Sequence, residues 1–323
     1  MFSLSELEAA EALVRRFMPA TPQYAWPLLA EATGAELIVK HENHTPTGAF
    51  KVRGGLVYME RLKRERPQVA GVVSATRGNH GQSLAYAGRQ FGVPVTIVVP
   101  EGNSVEKNAA MRALGADLVV HGVDFDAAKA HAAVIAEARG FEFAPSFAAD
   151  LVKGVATYPF ELFRAVADID TVYVPIGLGS GICATIMVRD LLGLETEIVG
   201  VVSEKAPAYA DSFAAGRVIG SDSAATFADG MAVRVPDSQA LDIIRRGAAR
   251  VVQVGEDDVA EAMRLVYRAT HSVAEGAGAA ALAALGKERE RQQGRRIAVV
   301  LTGQNIDAPW FATVLSGGTP SLG

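Results

Sequence analysis

GVVSATRGNHGQSLAYAGRQFGVPVTIVVP, residues 71–100, is the stretch on which the fold turns. Two short β-branched runs, Gly71–Ser74 and Val95–Val99, flank an Ala-rich segment, Gly81–Phe91. The runs predict strands and the segment between them a helix. Further on, Ser104 reads as the cap of a helix over Ser104–Leu114, Gly115 as its stop, and Asp117–His121 as a third strand. Strand, helix, strand, helix, strand in sequence implies parallel pairing with helices packed on the sheet.

The same alternation extends in both directions. Further strands are expected at Glu36–Lys40, Thr171–Pro175, Glu197–Val202, Arg250–Val254 and Arg296–Thr302. Further helices are expected at Phe125–Arg139, Pro159–Ala167, Gly181–Leu192, Glu256–Thr270 and Gly276–Arg291. Ser3–Met18, stopped by Pro19, reads as an amphipathic helix bearing Glu6, Glu8 and Glu11. Gly140–Gly154 reads as a less regular crossover, and Ala206–Pro236 as a loop-heavy surface excursion. The fold class is therefore α/β with mostly parallel sheets.

Composition narrows the function. The chain has 323 residues, half of them hydrophobic, with 32 glycines, enough for two domains. It carries 31 basic and 36 acidic side chains, and no basic stripe suggests a nucleic-acid partner. The single cysteine, Cys183, excludes an internal disulfide and fits a reducing cytoplasm. The N-terminus lacks the basic start and apolar stretch of a secretory signal. No apolar run is long enough to span a bilayer, so no membrane partner is expected.

Lys51 stands out in Thr45-Pro46-Thr47-Gly48-Ala49-Phe50-Lys51-Val52-Arg53-Gly54-Gly55. It follows a turn signal and sits between Phe50 and Val52. An ammonium among apolar neighbours has a lowered pKa, which makes a lysine nucleophilic toward aldehydes. Against this stands the ordinary reading of a surface lysine after a turn.

Three loops at strand ends add chemistry. Gly177-Leu178-Gly179-Ser180-Gly181 follows a strand and opens an apolar helix, so its backbone N–H groups can approach a phosphate. A dinucleotide fingerprint needs a third glycine where Ile182 stands, which favours a single phosphate. Thr76-Arg77-Gly78-Asn79-His80-Gly81-Gln82 is rich in donors and suits an anionic group, or serves as a polar cap. Thr302-Gly303-Gln304-Asn305 places a hydroxyl at a strand end, where ligands bind in parallel sheets, or is a plain strand exit. His41 and His44 lack metalloprotease spacing, and Cys183 reads as core packing.

In their order along the chain, these segments resemble the fold-type II pyridoxal-phosphate enzymes, in the threonine/serine dehydratase and serine racemase branch. Thr47–Gly54 resembles the family's Schiff-base motif, Arg77–Gln82 its asparagine loop, Gly177–Gly181 its phosphate cradle, and Thr302–Asn305 its Ser-Gly-Gly-Asn end. Ala228-Asp229-Gly230 and Glu275–Ala280 are similar to further family landmarks. The resemblance implies a two-domain, tryptophan synthase β-like architecture. A larger cofactor-binding domain would hold residues 1–65 and 148–323, and a smaller one, 66–147, would close over the substrate.

The same resemblance implies pyridoxal 5'-phosphate as cofactor. Lys51, Phe50, Asn79, Gly177, Leu178, Gly179, Ser180, Gly181 and Thr302 would hold it. Lys51 would also be the catalytic base, and Thr76, Arg77, Gly78 and His80 would hold the substrate. The implied reaction dehydrates a β-hydroxy amino acid, L-threonine or L-serine first, to a 2-oxo acid and ammonia. A bulkier or acidic substrate (3-phenylserine or 3-hydroxyaspartate) is the nearest alternative. Racemisation or β-replacement on the same fold comes next, and a dinucleotide oxidoreductase is the rival of another class. A cytoplasmic homodimer is implied by family analogy.

Four departures qualify the resemblance. Arg77 stands where racemase-like members carry a serine base, and arginine is no base at neutral pH. Metal-activated members carry two carboxylates after a strand resembling Ile198–Val202; here Glu204 can fill the first place, but the second falls on Ala208 or Ala210, with Asp211 out of register, so no metal site is expected. The chain runs only a little past Thr302, so no isoleucine-responsive regulatory domain is expected. Gln304 replaces a glycine and would narrow the pocket or reach the substrate.

Overall fold

The computed structural model describes residues 1–321. In chain order its strands are β1 (Gln23–Ala25), β2 (Glu36–His41), β3 (Val72–Ala75), β4 (Val95–Val99), β5 (Asp117–Val120), β6 (Glu142–Phe143), β7 (Thr171–Pro175), β8 (Glu197–Ser203), β9 (Arg250–Val254) and β10 (Arg296–Leu301). The helices begin with α1 (Leu4–Arg15), α2 (Pro27–Thr33), α3 (Lys51–Glu65), α4 (Asn79–Phe91), α5 (Val105–Ala113), α6 (Phe125–Arg139), α7 (Ala149–Val155) and α8 (Thr157–Ala165). They continue with α9 (Ser180–Leu191), α10 (Ala208–Ala215), α11 (Ser238–Gly247), α12 (Glu256–Thr270), α13 (Gly276–Lys287), α14 (Arg289–Gln292) and α15 (Ala308–Leu315).

Packing divides the chain into two compact units. One joins Met1–Pro19 to Thr45–Thr157, and the other joins Ala20–His44 to everything described from Tyr158 onward. The sequence expectation assigned residues 1–65 to the larger unit. Here α1 and residues 45–65 pack with the smaller one, because α3 lies against α4 and α7, and α1 against α3 and α7.

In the first unit the strands run β5-β4-β3-β6, all parallel. Alternate β3 side chains enter different clusters. Val72 packs with Leu56, Met59, Leu84 and Met111, while Val73 and Ala75 pack with Ala128, Ala132 and Ile135 on α6. Helices thus cover both faces, which is why the strands read as continuous apolar runs. Ser104 caps α5 by accepting from the Lys107 amide at 3.1 Å, and Asp124 caps α6 by accepting from Ala127 at 2.9 Å.

In the second unit the order is β1-β2-β10-β7-β8-β9, parallel except for the antiparallel edge pair β1–β2. The Ala-rich helix α13 is buried along almost its whole length in that unit's core, with Leu37, Val199, Ile297 and Val299. Strands β2, β10 and β7 are neighbours, so the segments leaving their carboxyl ends emerge side by side.

Several expected bounds shift. Gly140–Gly154 holds the short strand β6 and helix α7, and Ala206–Pro236 holds α10 and a 3₁₀ turn at Asp229–Met231. In both places Gly, Ser and Asp suggested loop while tertiary packing set the backbone. The helix expected over Gly276–Arg291 is two helices, α13 and α14, broken at Glu288 (φ −103°, ψ 19°). Thr302 lies just beyond β10.

Lys40 on β2 is fully buried. Its ammonium donates to Glu161 Oε2 at 2.7 Å, Thr21 O at 2.8 Å and Gln23 Oε1 at 3.0 Å. Three donors meet three acceptors, so the charge is satisfied without water. Removing one partner leaves a desolvated charge. Glu161→Ala is therefore expected to cost about 3–5 kcal/mol in a urea unfolding curve. Lys40→Met combined with Glu161→Leu should recover most of that loss; a single-variant loss indistinguishable from zero contradicts the argument.

Candidate active site

In the first unit, a tight turn delivers Lys51 to the start of α3. Thr45 Oγ1 accepts from the Ala49 amide at 2.9 Å and donates to Ala49 O at 2.9 Å, while Gly48 N donates to Thr45 O at 3.0 Å. Phe50 then occupies the N-cap position with αR geometry, and Lys51 is the first helical residue. The Lys51 ammonium lies 4.9 Å from the centroid of the Phe50 ring. Burial disfavours the charged form and pulls the Lys51 amine down to about 8.

The loop after β3 carries the next group. Thr76 is buried, and its Oγ1 accepts from the Gly78 amide at 3.0 Å. Gly78 is the N-cap of α4, and an added Cβ there would run into the Lys107 side chain. Asn79 and His80 open the helix, and Arg77 is exposed. His80 is buried, and its Nε2 has no hydrogen-bond partner among the described residues. Burial, helped by the charge of Lys51, pulls the imidazole down to about 3, so it stays neutral near physiological pH.

In the second unit, β7 ends at Pro175 and the glycine loop follows. An added Cβ at Gly177 would run into Gly230 O, so the Ala228–Gly230 segment lies directly against the loop. Gly179 has φ +100°, and its added Cβ would sit 2.7 Å from Ala240 Cβ, two independent reasons for glycine. Leu178 O accepts from Tyr209 Oη at 3.0 Å. Ser180 and Gly181 begin α9, a 12-residue helix, and Tyr158 Oη donates to Gly181 O at 3.2 Å. The first amides of α9 have no partners within their own helix, and a glycine loop opening a helix is an ordinary setting for binding a phosphate.

Thr302 is buried at the end of β10, the strand next to β7, and its Oγ1 donates to Ala277 O at 3.3 Å. Helix α13 begins beside it: Glu275 N donates to Gly303 O at 3.1 Å, and an added Cβ at Gly278 would collide with Gly303. Gln304 Oε1 accepts a long bond, 3.5 Å, from Asn43 Nδ2.

The residues set aside in the sequence lie in structural settings. His41 is buried, accepts from Trp26 Nε1 at 3.0 Å, and is pulled down to about 4 by burial and by His44. Cys183 is buried, with its thiol pushed up by burial. Glu204 accepts from Lys287 Nζ at 2.9 Å. Among the described residues no three His, Cys, Asp or Glu side chains gather as metal ligands would, and no helix is long and apolar enough to cross a membrane.

The donor set is chemically matched to one cofactor: a lysine amine kept unusually free of its proton, a glycine cradle at a helix start, and a buried hydroxyl. A family model described as pyridoxal-phosphate dependent enzyme matches residues 14–303. The chain belongs to that family. It is therefore a pyridoxal-phosphate-dependent lyase of fold type II, in the threonine/serine dehydratase branch. It is 31% identical to an L-threonine ammonia-lyase of Thermotoga maritima, over 100% of this chain and 80% of the relative. It is also 31% identical to an L-threo-3-hydroxyaspartate ammonia-lyase of a Pseudomonas species, over 96% of this chain and 97% of the relative. The solved structure of the processed form of threonine deaminase isoform 2 from Solanum lycopersicum superposes with TM-score 0.88 at 28% identity, covering 98% of this chain and 94% of that one.

Two residues near the site carry no signal of their own in the sequence. Lys107 reads there only as part of a helix, and Ser83, whose hydroxyl donates to Lys51 O at 2.6 Å, reads as a small helical residue. Gly55 was the available signal for Ser83, since a glycine in a helix's first turns often marks a close approach.

His80 and His41 have a common consequence for stability. Both are held neutral in the fold, with folded-state pKa values of about 3 and about 4. Their contribution is fully present above the unfolded value of 6.5 and is lost as pH falls toward the folded values. Between pH 6.5 and 4, each is expected to remove about 1.4 kcal/mol of stability per pH unit. Urea unfolding at stepped pH checks this, and His80→Gln should flatten the slope; an unchanged slope speaks against a buried neutral His80.

Proposed function

We propose that the protein dehydrates a β-hydroxy amino acid, L-threonine or L-serine in the first instance, releasing a 2-oxo acid and ammonia. The Lys51 amine, lowered to about 8 at the first turn of α3, is the observation that carries the reading. Lys51 would be the covalent anchor for the cofactor aldehyde, with Phe50 beside it. Asn79 would bond the ring oxygen, Gly177, Leu178, Gly179, Ser180 and Gly181 would hold the phosphate, and Thr302 would face the ring nitrogen. Thr76, Arg77, Gly78 and His80 hold the substrate carboxylate and neighbouring atoms.

When bound, pyridoxal phosphate supplies the electron sink for charge left at the α-carbon. The Lys51 amine would remove the α-proton, for which an amine with a pKa near neutrality is well matched. Thr302 is uncharged and cannot act as a counter-ion to a protonated ring nitrogen. That would limit delocalisation and favour loss of the β-hydroxyl, which would leave as water with the proton that Lys51 has taken up. Hydrolysis of the resulting enamine gives the 2-oxo acid and ammonia. Arg77 cannot remove a proton from the opposite face, which disfavours racemisation.

Arg77 supports a second substrate reading. An exposed guanidinium at the end of β3 can pair bidentately with a second carboxylate, and one of the relatives is named for 3-hydroxyaspartate. Family likeness adds a cytoplasmic homodimer to the reading.

The test is direct. Purified protein with pyridoxal phosphate should absorb in the visible, and borohydride should fix the cofactor to Lys51. L-threonine, L-serine and L-threo-3-hydroxyaspartate are then compared for 2-oxo acid release. Lys51→Ala should lose the fixed cofactor and at least about 1,000-fold in rate. Retention of either overturns the assignment, and racemisation of L-serine by the unaltered protein overturns the reading of Arg77.

A further inference from the structure

We infer that Ser83 is a positioning residue for Lys51, a role that rests on Lys51 being the cofactor anchor. Ser83 is fully buried on α4, and its Oγ donates to the backbone carbonyl of Lys51 at 2.6 Å. An added Cβ at Gly55 would collide with that same hydroxyl and lie 2.8 Å from Ser83 O. Helices α3 and α4 therefore touch backbone to backbone at the Gly55–Ser83 crossing, and the hydroxyl fills the one space a side chain on Gly55 would need.

The Lys51 carbonyl lies in the first turn of α3, one residue after Phe50, whose carbonyl accepts from Arg53 N at 3.2 Å. A carbonyl oxygen has two lone pairs, so it can accept from the ladder and from Ser83 together. The second bond fixes the first turn against α4, where helix ends otherwise fray. Ser83 also follows Asn79 and His80 by four and three residues, so all three lie on neighbouring parts of one helix face. One hydroxyl thus joins the turn that carries Lys51 to the helix that carries Asn79 and His80. On an adjacent face, an added Cβ at Gly54 would lie 2.7 Å from Leu151 O on α7, so the first turn is gripped from two directions. A slack first turn would let water reach the Lys51 amine and return its pKa toward that of an ordinary lysine.

A buried serine that only satisfies its own hydroxyl would affect stability and nothing else. Ser74 provides the comparison. Its Oγ donates to Ala144 O at 2.7 Å in the same unit, the same kind of bond without a link to Lys51. Full-length Ser83→Ala and Ser74→Ala are compared with the unaltered protein after cofactor removal, using competitive acetylation of Lys51 across pH, read by mass spectrometry. The unaltered protein and Ser74→Ala should show midpoints near 8. Ser83→Ala should move the midpoint up by about one pH unit.

With cofactor restored, Ser83→Ala should lower kcat about three- to tenfold while KM stays within about twofold. If Ser83→Ala does not fold, Ser83→Cys, whose thiol is a weak donor, is read the same way and should move the midpoint up by roughly half a pH unit. An unshifted midpoint with unchanged kcat overturns the inference. Lys51→Ala that still forms a borohydride-fixed link to pyridoxal phosphate overturns instead the reading beneath it.

Discussion

Desolvation of one lysine amine governs the first unit's design. To hold Lys51 away from water, α3 must start abruptly, and its neighbours must close on it without side chains intervening. The Thr45–Ala49 turn provides the start. Gly54 and Gly55 provide the closeness, one facing Leu151 on α7 and the other Ser83 on α4. Each glycine costs helix propensity, roughly 1 kcal/mol relative to alanine. That cost falls in the same two helical positions where any larger residue would push α4 or α7 away from the lysine. Local helix stability is given up there for a short distance between backbones.

The second unit works by a different principle, fixed partial charges at the ends of parallel elements. Strands β2, β10 and β7 run side by side, so the Asn43 segment, Thr302 and the Gly177 loop leave one edge of the sheet together. The loop then feeds α9, whose first amides have no partners within their own helix. Oriented peptide dipoles need no ionisable side chain to attract an anion. Their strength is set by backbone geometry alone, so it does not change with pH. Helix α13 repeats the arrangement beside Thr302, packed so closely that Gly278 cannot carry a Cβ.

The sequence made the repeating layers visible because both sheets are buried on both faces. Strands β3, β4, β7 and β10 are rich in β-branched residues and buried along nearly their whole length, and such runs survive any uncertainty over which face is which. The loops of the candidate site were visible because each combines glycine with polar residues at a strand end. What stayed hidden was set by packing between residues distant in the chain. Ser83 looks like an ordinary small residue in a helix until Gly55 is placed against it. Helix α10 hid in an Ala-, Ser- and Asp-rich stretch because burial of Ala208, Tyr209 and Ser212, rather than propensity, forms it. The assignment of residues 45–65 was likewise unreadable, since it depends on α3 meeting α4 and α7.

The proposed chemistry asks for a set of groups that stay uncharged. A protonated His80 would repel the Lys51 ammonium and compete for the substrate carboxylate, and burial prevents that down to strongly acidic pH. Thr302 is neutral at every pH of interest, and its bond to Ala277 O is long enough at 3.3 Å for the hydroxyl to turn toward a better acceptor. A pyridine nitrogen is such an acceptor, and a bond to it would strengthen without transferring a proton. A carboxylate in place of Thr302 would draw a proton onto the ring and let charge spread further from the α-carbon. With a hydroxyl there, that charge is best relieved at the β-carbon, where a hydroxyl can leave. On this reading Thr302 favours elimination by staying uncharged, and burial keeps His80 neutral so that it does not oppose the Lys51 ammonium.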